Sequence, residues 1–99
     1  MYQIEIVSEA IEELRNTSVF YRRLLVAAIE AQLKHEPTKK TRNRKCLSSL
    51  VPSFEHEPPV WELRVQDWRV FYDVDEDQRI VSIRAVREKP KGKLTGEIV

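Results

Sequence analysis

Residues 61–75 read WELRVQDWRVFYDVD. Apolar and polar residues alternate on either side of Gln66 and Asp67, the pattern of two strands with one buried face. With those two residues as the turn, Val65 stands opposite Trp68. Leu63, Glu62 and Trp61 then stand opposite Val70, Phe71 and Tyr72. Trp61, Leu63, Val65, Trp68, Val70, Tyr72 and Val74 share one side. A slip of one residue would scatter this set, so the pairing checks itself. The same arithmetic sets Arg64 directly opposite Arg69, and like charges facing each other across a ladder are destabilising.

A further strand follows DEDQ (75–78), over about 79–86. With Val74 opposite Arg79, Tyr72 meets Val81 and Val70 meets Ile83, which extends the apolar side. On the other side Arg69 meets Arg84. The expectation is a row Arg64–Arg69–Arg84 on three neighbouring strands, on a face left open or partly open. Such a row costs stability unless an anion offsets it, and local rules broken without a folding gain tend to mark functional sites. Arginine forks bind phosphate bidentately and keep their charge. Glu62 and Asp73, on the same side, offer the plainer alternative of neutralisation by ion pairs.

Upstream, YQIEIV (2–7) alternates and reads as a strand with Tyr2, Ile4 and Ile6 on one face. Ser8 offers an N-cap, and Glu9, Glu12 and Glu13 suit the positive end of a helix that stops near Asn16. Thr17 or Ser18 can cap a second helix over roughly 18–35. Phe20, Leu24, Ala28 and Ala31 form one helical stripe, and Tyr21, Leu25, Ile29 and Leu33 another. Pro37 ends it. Residues 36–59 read as a long connection, anchored to the core by Leu47, Leu50, Val51 and Phe54. The tail from Glu88, with Pro90, Gly92 and Gly96, reads as irregular. The expected fold is α+β, of order β-α-α-β-β-β, with two helices packed on one face of an antiparallel sheet. All 99 residues form one domain.

A composition 41% hydrophobic and 33% charged fits a soluble globular chain. The longest apolar run, LLVAAI (24–29), is far from bilayer length, so no membrane role is expected. The N-terminus lacks the basic start and apolar centre of a signal peptide. Cys46 is the only cysteine, which excludes an internal disulfide and points to a reducing cytoplasm. Net charge is +1, yet residues 37–47 carry Lys39, Lys40, Arg42, Arg44 and Lys45 and no acid, leaving the remainder acidic by four. Such a local patch fits either a defined anionic contact or a solvated loop.

Other chemistries find little support. His35, His56 and Cys46 match no zinc spacing, so no metal is expected. Gly92 and Gly96 are the only glycines, too few for a phosphate loop, and no cofactor is expected. Ser48, Ser49 and Ser53 have no base partner.

The element order, the segment WELRVQDWRVFYDVD and the following IVSIRAV resemble the RelE/ParE superfamily of bacterial toxin–antitoxin toxins. The resemblance covers nearly the whole chain. It implies a cognate antitoxin that wraps the toxin, and one of two activities. RelE-type members cleave mRNA in the ribosomal A site. ParE-type members poison DNA gyrase and are not nucleases. In the RelE branch, basic residues on both hairpin strands and just after the last strand surround the mRNA. Arg64 and Arg69 match the hairpin positions, and Arg87 or Lys89 the later one. Under that reading Arg69, Arg64 and Lys89 would be catalytic. Arg84, Arg87, Lys39, Lys40, Arg42, Arg44, Lys45, Lys91 and Lys93 would hold RNA phosphates. The reaction would be metal-independent, with mRNA and the ribosome as partners. Glu62 departs from the pattern at a second basic hairpin position. No tyrosine follows Tyr72, so the C-terminal proton-transfer group of the RelE branch is missing. That departure pulls toward the alternatives, a gyrase-targeting toxin or an inactive relative, but the arginine row pulls the other way, and the expectation is a RelE-like, ribosome-dependent mRNA endoribonuclease that inhibits translation.

Overall fold

The computed structural model describes residues 1–99. In chain order the elements are β1 (Gln3–Ile6), α1 (Ser8–Arg15), α2 (Val19–Leu33), β2 (Arg44–Cys46), β3 (Trp61–Val65), β4 (Trp68–Asp75) and β5 (Ile80–Glu88). A short 3-10 turn, Thr95–Glu97, closes the tail. The strands make one sheet in the order β1-β5-β4-β3-β2. The fold is α+β with both helices on one face, as the sequence reads. The sheet is mixed rather than wholly antiparallel, because β1 runs parallel to β5. The two helices carry the chain from β1 at one edge to β2 at the other, and β2, β3 and β4 complete the long connection that the parallel pair β1 and β5 requires. The extra strand β2 pairs with β3 at the far edge. With only three residues, it is too short to show alternation.

Under the helices lies the larger core. Ala10 and Leu14 of α1 and Leu25, Ile29 and Leu33 of α2 pack on Leu63, Val65, Val70, Tyr72, Val81 and Ile83. Each side chain wholly removed from water there contributes roughly 1.5–3 kcal/mol before entropy is counted. The stripe through Leu25, Ile29 and Leu33 is the buried one. The neighbouring stripe is only partly covered, and Phe20 stands 68% exposed.

Local contacts fix the helix ends. Ser18 caps α2 by accepting from the Tyr21 N–H at 3.3 Å. Val7, not Ser8, takes the N-cap position of α1, and the Ser8 hydroxyl donates to Glu9 instead. Arg22 reaches back from α2 and donates to the carbonyls of Leu14, Arg15 and Thr17 around the end of α1.

The β3–β4 register is the derived one, residue for residue, with Arg64 opposite Arg69. The turn needs a left-handed residue, and Gln66 supplies it at φ 54°. The β4–β5 register differs from expectation. Asp75 pairs with Ile80, Tyr72 with Ile83, and then a bulge intervenes, so that Phe71 pairs with Ala85 and Arg69 with Arg87. Two causes act together. Arg79 adopts φ 58° and the Asp75 carboxylate accepts from the N–H groups of Asp77 and Gln78, placing the turn one residue later. The resulting offset from the expected pairing is two residues up to Tyr72, which preserves the apolar side; Arg84 is then extra at the bulge, and beyond it the offset is three.

The face opposite the helices is not open. Leu47, Val60, Phe71 and Ala85 form a second core there, with Leu50, Phe54, Ile98 and Val99 packed against it. Residues of the long connection and of the tail supply this cover.

A candidate anion-binding face

The arginine row exists in altered form. Arg64, Arg69 and Arg87 occupy paired positions on β3, β4 and β5. Arg84, displaced by the bulge, leaves the row. Its guanidinium instead lies 2.8 Å from the Asp73 carboxylate, which also accepts from the Glu57 N–H.

Arg69 is only 6% exposed. Its Nη1 donates to the carbonyls of Gln66 and Trp68, both at 2.8 Å, and its Nε lies 3.9 Å from Glu62 Oε2. Burial pulls its pKa below the usual arginine value, and Glu62 pulls the other way. Glu62 is itself buried and engaged. It accepts from the Thr95 hydroxyl at 2.8 Å and sits 3.6 Å from Lys45 Nζ. Arg87 is held by Glu13 at 3.2 Å, donates to the Ile98 carbonyl at 2.7 Å, and stacks over the Phe54 ring. Arg64 alone of the three is exposed and free of any ion pair.

The basic segment divides as sharply. Arg44 is buried and turned inward, donating to the carbonyls of Gln32 in the last turn of α2 and of Glu36 just beyond it. A guanidinium there satisfies orphan carbonyls and opposes the negative helix end. It therefore pins the loop that carries its neighbours. Thr41 and Arg44 close a tight turn through backbone bonds, and the Arg64 N–H donates to the Asn43 carbonyl at 2.7 Å. Between this turn and β3 lies a pocket of about 180 Å3, lined by Lys40, Arg42, Lys45, Arg64 and polar neighbours, with no apolar residue. Lys39 stands apart, 3.3 Å from Glu36.

Lys89 is half-buried, and its N–H donates to the Asp67 carbonyl at 2.6 Å. Lys91 and Lys93 are exposed on the tail, and Lys93 lies 3.4 Å from Glu97. The structure thus brings Arg64, Lys40, Arg42 and Lys45 together and leaves Arg84, Lys39, Lys91 and Lys93 elsewhere. No tyrosine belongs to this face. Tyr72 and Tyr2 lie in the helix-side core, and Tyr21 packs beside Trp68. His56 holds the Phe54 carbonyl at 2.9 Å. The reading of the sequence did not find the roles of Asn43, Glu13 and Thr95. Their partners lie far along the chain, and no local pattern signals them.

Comparisons with known proteins place this architecture. The family model for the ParE toxin of the parDE type II toxin–antitoxin system matches residues 4–89. The fold resembles the toxin–antitoxin complex RelBE2 from Mycobacterium tuberculosis, with TM-score 0.70 and 20% identity over 89% of this chain and 98% of that one. It also resembles the archaeal RelE–RelB complex from Pyrococcus horikoshii, with TM-score 0.68 and 19% identity over 94% and 98% of the two chains. The isolated RelE toxin of E. coli gives TM-score 0.66 and 16% identity over 99% and 95%. No curated protein sequence matches the chain. No helix is long and apolar enough to cross a membrane. The chain belongs to the ParE toxin family of type II toxin–antitoxin systems, within the RelE/ParE superfamily.

Proposed function

We propose that this toxin acts as a ParE-like poison of DNA gyrase, working by binding rather than by cutting RNA, and that a cognate antitoxin neutralises it. The observation that carries this reading is the state of Arg69. RNA cleavage of the RelE kind needs a 2′-hydroxyl deprotonated, the phosphorane charge stabilised and the leaving oxygen protonated. Arg69, the expected charge-stabilising group, is buried, and its Nη1 donates to two carbonyls. Glu62, a carboxylate, stands where the RelE pattern has a second basic residue, no tyrosine lies on this face, and the histidine beside it, His56, is engaged through Nδ1 with the Phe54 carbonyl. Arginines stay protonated and make poor general bases.

The row of paired arginines, Arg64, Arg69 and Arg87, favours the second reading, a ribosome-dependent mRNA endoribonuclease. One experiment separates them. The toxin is induced in cells, mRNA 5′ ends are mapped, and plasmid DNA is incubated with purified gyrase and toxin. Intact messages with gyrase-dependent DNA breaks are the expected result. Cleavage inside codons of translated messages, lost in Arg64→Ala, would overturn the proposal. Arg64 is the variant of choice because it is exposed and its replacement leaves the fold intact.

A further inference from the structure

We infer that the chain forms a two-fold dimer through the outer face of α2, which packs antiparallel against α2 of a second copy. The inner face of this helix carries Leu25, Ile29 and Leu33 into the core. Phe20, Leu24, Ala27 and Ala31 lie on the other side, at successive spacings of four, three and four residues. That is the narrow seam of a coiled coil, not the broad stripe of a helix facing a core. The chain leaves it uncovered: Phe20, Ala27 and Ala31 are exposed, and Leu24 is only partly covered. Arg23 and Glu30 stand exposed along one margin of the seam, and Tyr21 and Ala28 line the other.

A two-fold interface must be complementary to itself, because each contact recurs with the copies exchanged. The seam meets this condition in volume. Antiparallel pairing sets Phe20 of one copy against Ala31 of the other, and Leu24 against Ala27, so every layer joins a large side chain to a small one. At the margin Tyr21 covers Ala28 in the same way. The seam meets the condition in charge as well. Arg23 of each copy faces Glu30 of the other, which gives an ion pair on either side of the two-fold axis. Arg23 has no acidic partner within its own chain. Glu30 meets Lys34 through Oε2 alone, at 2.5 Å, so its other oxygen can accept. Parallel pairing would stack Phe20 on Phe20, leave a gap between facing alanines and give Arg23 no acid to meet. An unrelated partner would require no such symmetry. The alanines admit helix axes about 8 Å apart. The seam runs over roughly three helical turns. Its buried area is therefore that of a reversible dimer, with a dissociation constant on the order of micromolar.

The inference does not depend on the gyrase reading, and its test uses the toxin alone. Sedimentation equilibrium would follow the purified full chain from roughly 5 to 500 μM, a range that brackets an interface of this size. A concentration-dependent dimer is expected. Arg23→Glu and Glu30→Arg each turn both attractive pairs into repulsive ones, and each should weaken the dimer about tenfold. Mixed in equal amounts, the two variants meet with opposite charges at both crossings, and a heterodimer of wild-type strength should return. Only an antiparallel α2 pair makes that recovery. Phe20→Ala, which empties two layers, should weaken the dimer without any recovery on mixing. These positions are exposed, so far-ultraviolet circular dichroism should show all three variants folded. A monomer at every concentration would overturn the inference and leave the seam to a helix of another protein. A dimer that both charge variants leave intact, or a mixture no tighter than either variant alone, would overturn it too.

Discussion

Glu62 and Arg69 meet inside the face opposite the helices, 3.9 Å apart and each less than a tenth exposed. The pair links three layers of the structure, because Glu62 also receives the Thr95 hydroxyl from the tail and Lys45 from the β2 edge. Removing the carboxylate leaves a buried cation facing only carbonyls. Glu62→Gln is expected to cost about 1–3 kcal/mol of stability, read from urea denaturation. Adding Arg69→Met should cost much less than the sum of the single losses. Additive losses would show that the two side chains are energetically independent.

Arg44 and Arg42 are two residues apart and look alike in the sequence. Arg44→Ala removes the donor from the Gln32 and Glu36 carbonyls and should destabilise the fold by about 1.5–3 kcal/mol. Arg42→Ala should stay within about 0.5 kcal/mol, as an exposed substitution with no partner. Thermal melts of the two variants side by side decide it.

Tyr72 donates from its buried hydroxyl to the Pro37 carbonyl at 2.6 Å. Burial pushes its pKa above the ordinary tyrosine value. An unfolded chain releases this proton near pH 10, while the folded chain keeps it, with the usual tyrosine pKa being about 10. Its contribution is therefore complete below that pH and is lost as pH rises through the folded-state value. Tyr72→Phe should cost about 0.5–1.5 kcal/mol at neutral pH through the lost hydrogen bond. The gap between variant and wild type should narrow in denaturation curves taken above pH ~10. A gap that widens with pH would contradict the direction of the shift.

Gln66 holds φ 54° at the β3–β4 turn, a conformation that glycine adopts freely. Gln66→Gly should raise stability by about 0.5–1 kcal/mol, the relieved left-handed strain exceeding the added chain entropy. Gln66→Val should lower it, since a branched Cβ suits that region worst. Chemical denaturation midpoints of the pair give the sign.

The hairpin was legible because its information is local. Two alternating strands and a two-residue turn constrain one another, and parity exposes any error. The helices were legible from their stripes, though Phe20 shows that a stripe does not say how much of it is covered. The bulge was not legible. Arg84 and Ala85 carry no glycine or proline to mark an inserted residue, so the arithmetic ran past it to the wrong arginine. The second core was hidden for a different reason. Leu47, Leu50, Phe54, Ile98 and Val99 come from irregular segments, where apolar residues have no period to reveal a common face. The basic segment read as uniform, and only tertiary contacts divide Arg44 from its neighbours.

The bulge also gives β5 two phases. Before it, Val81 and Ile83 point to the helices. After it, Val86 does, and Ala85 and Arg87 turn to the other side. An uninterrupted strand would have sent Ala85 and Arg87 under the helices and Val86 away from them. One supernumerary residue thus lets a single strand serve both cores. Excision of that residue would restore a regular ladder with Val86 still toward the helices, whereas straightening the strand around it would put the Arg87 guanidinium beneath them.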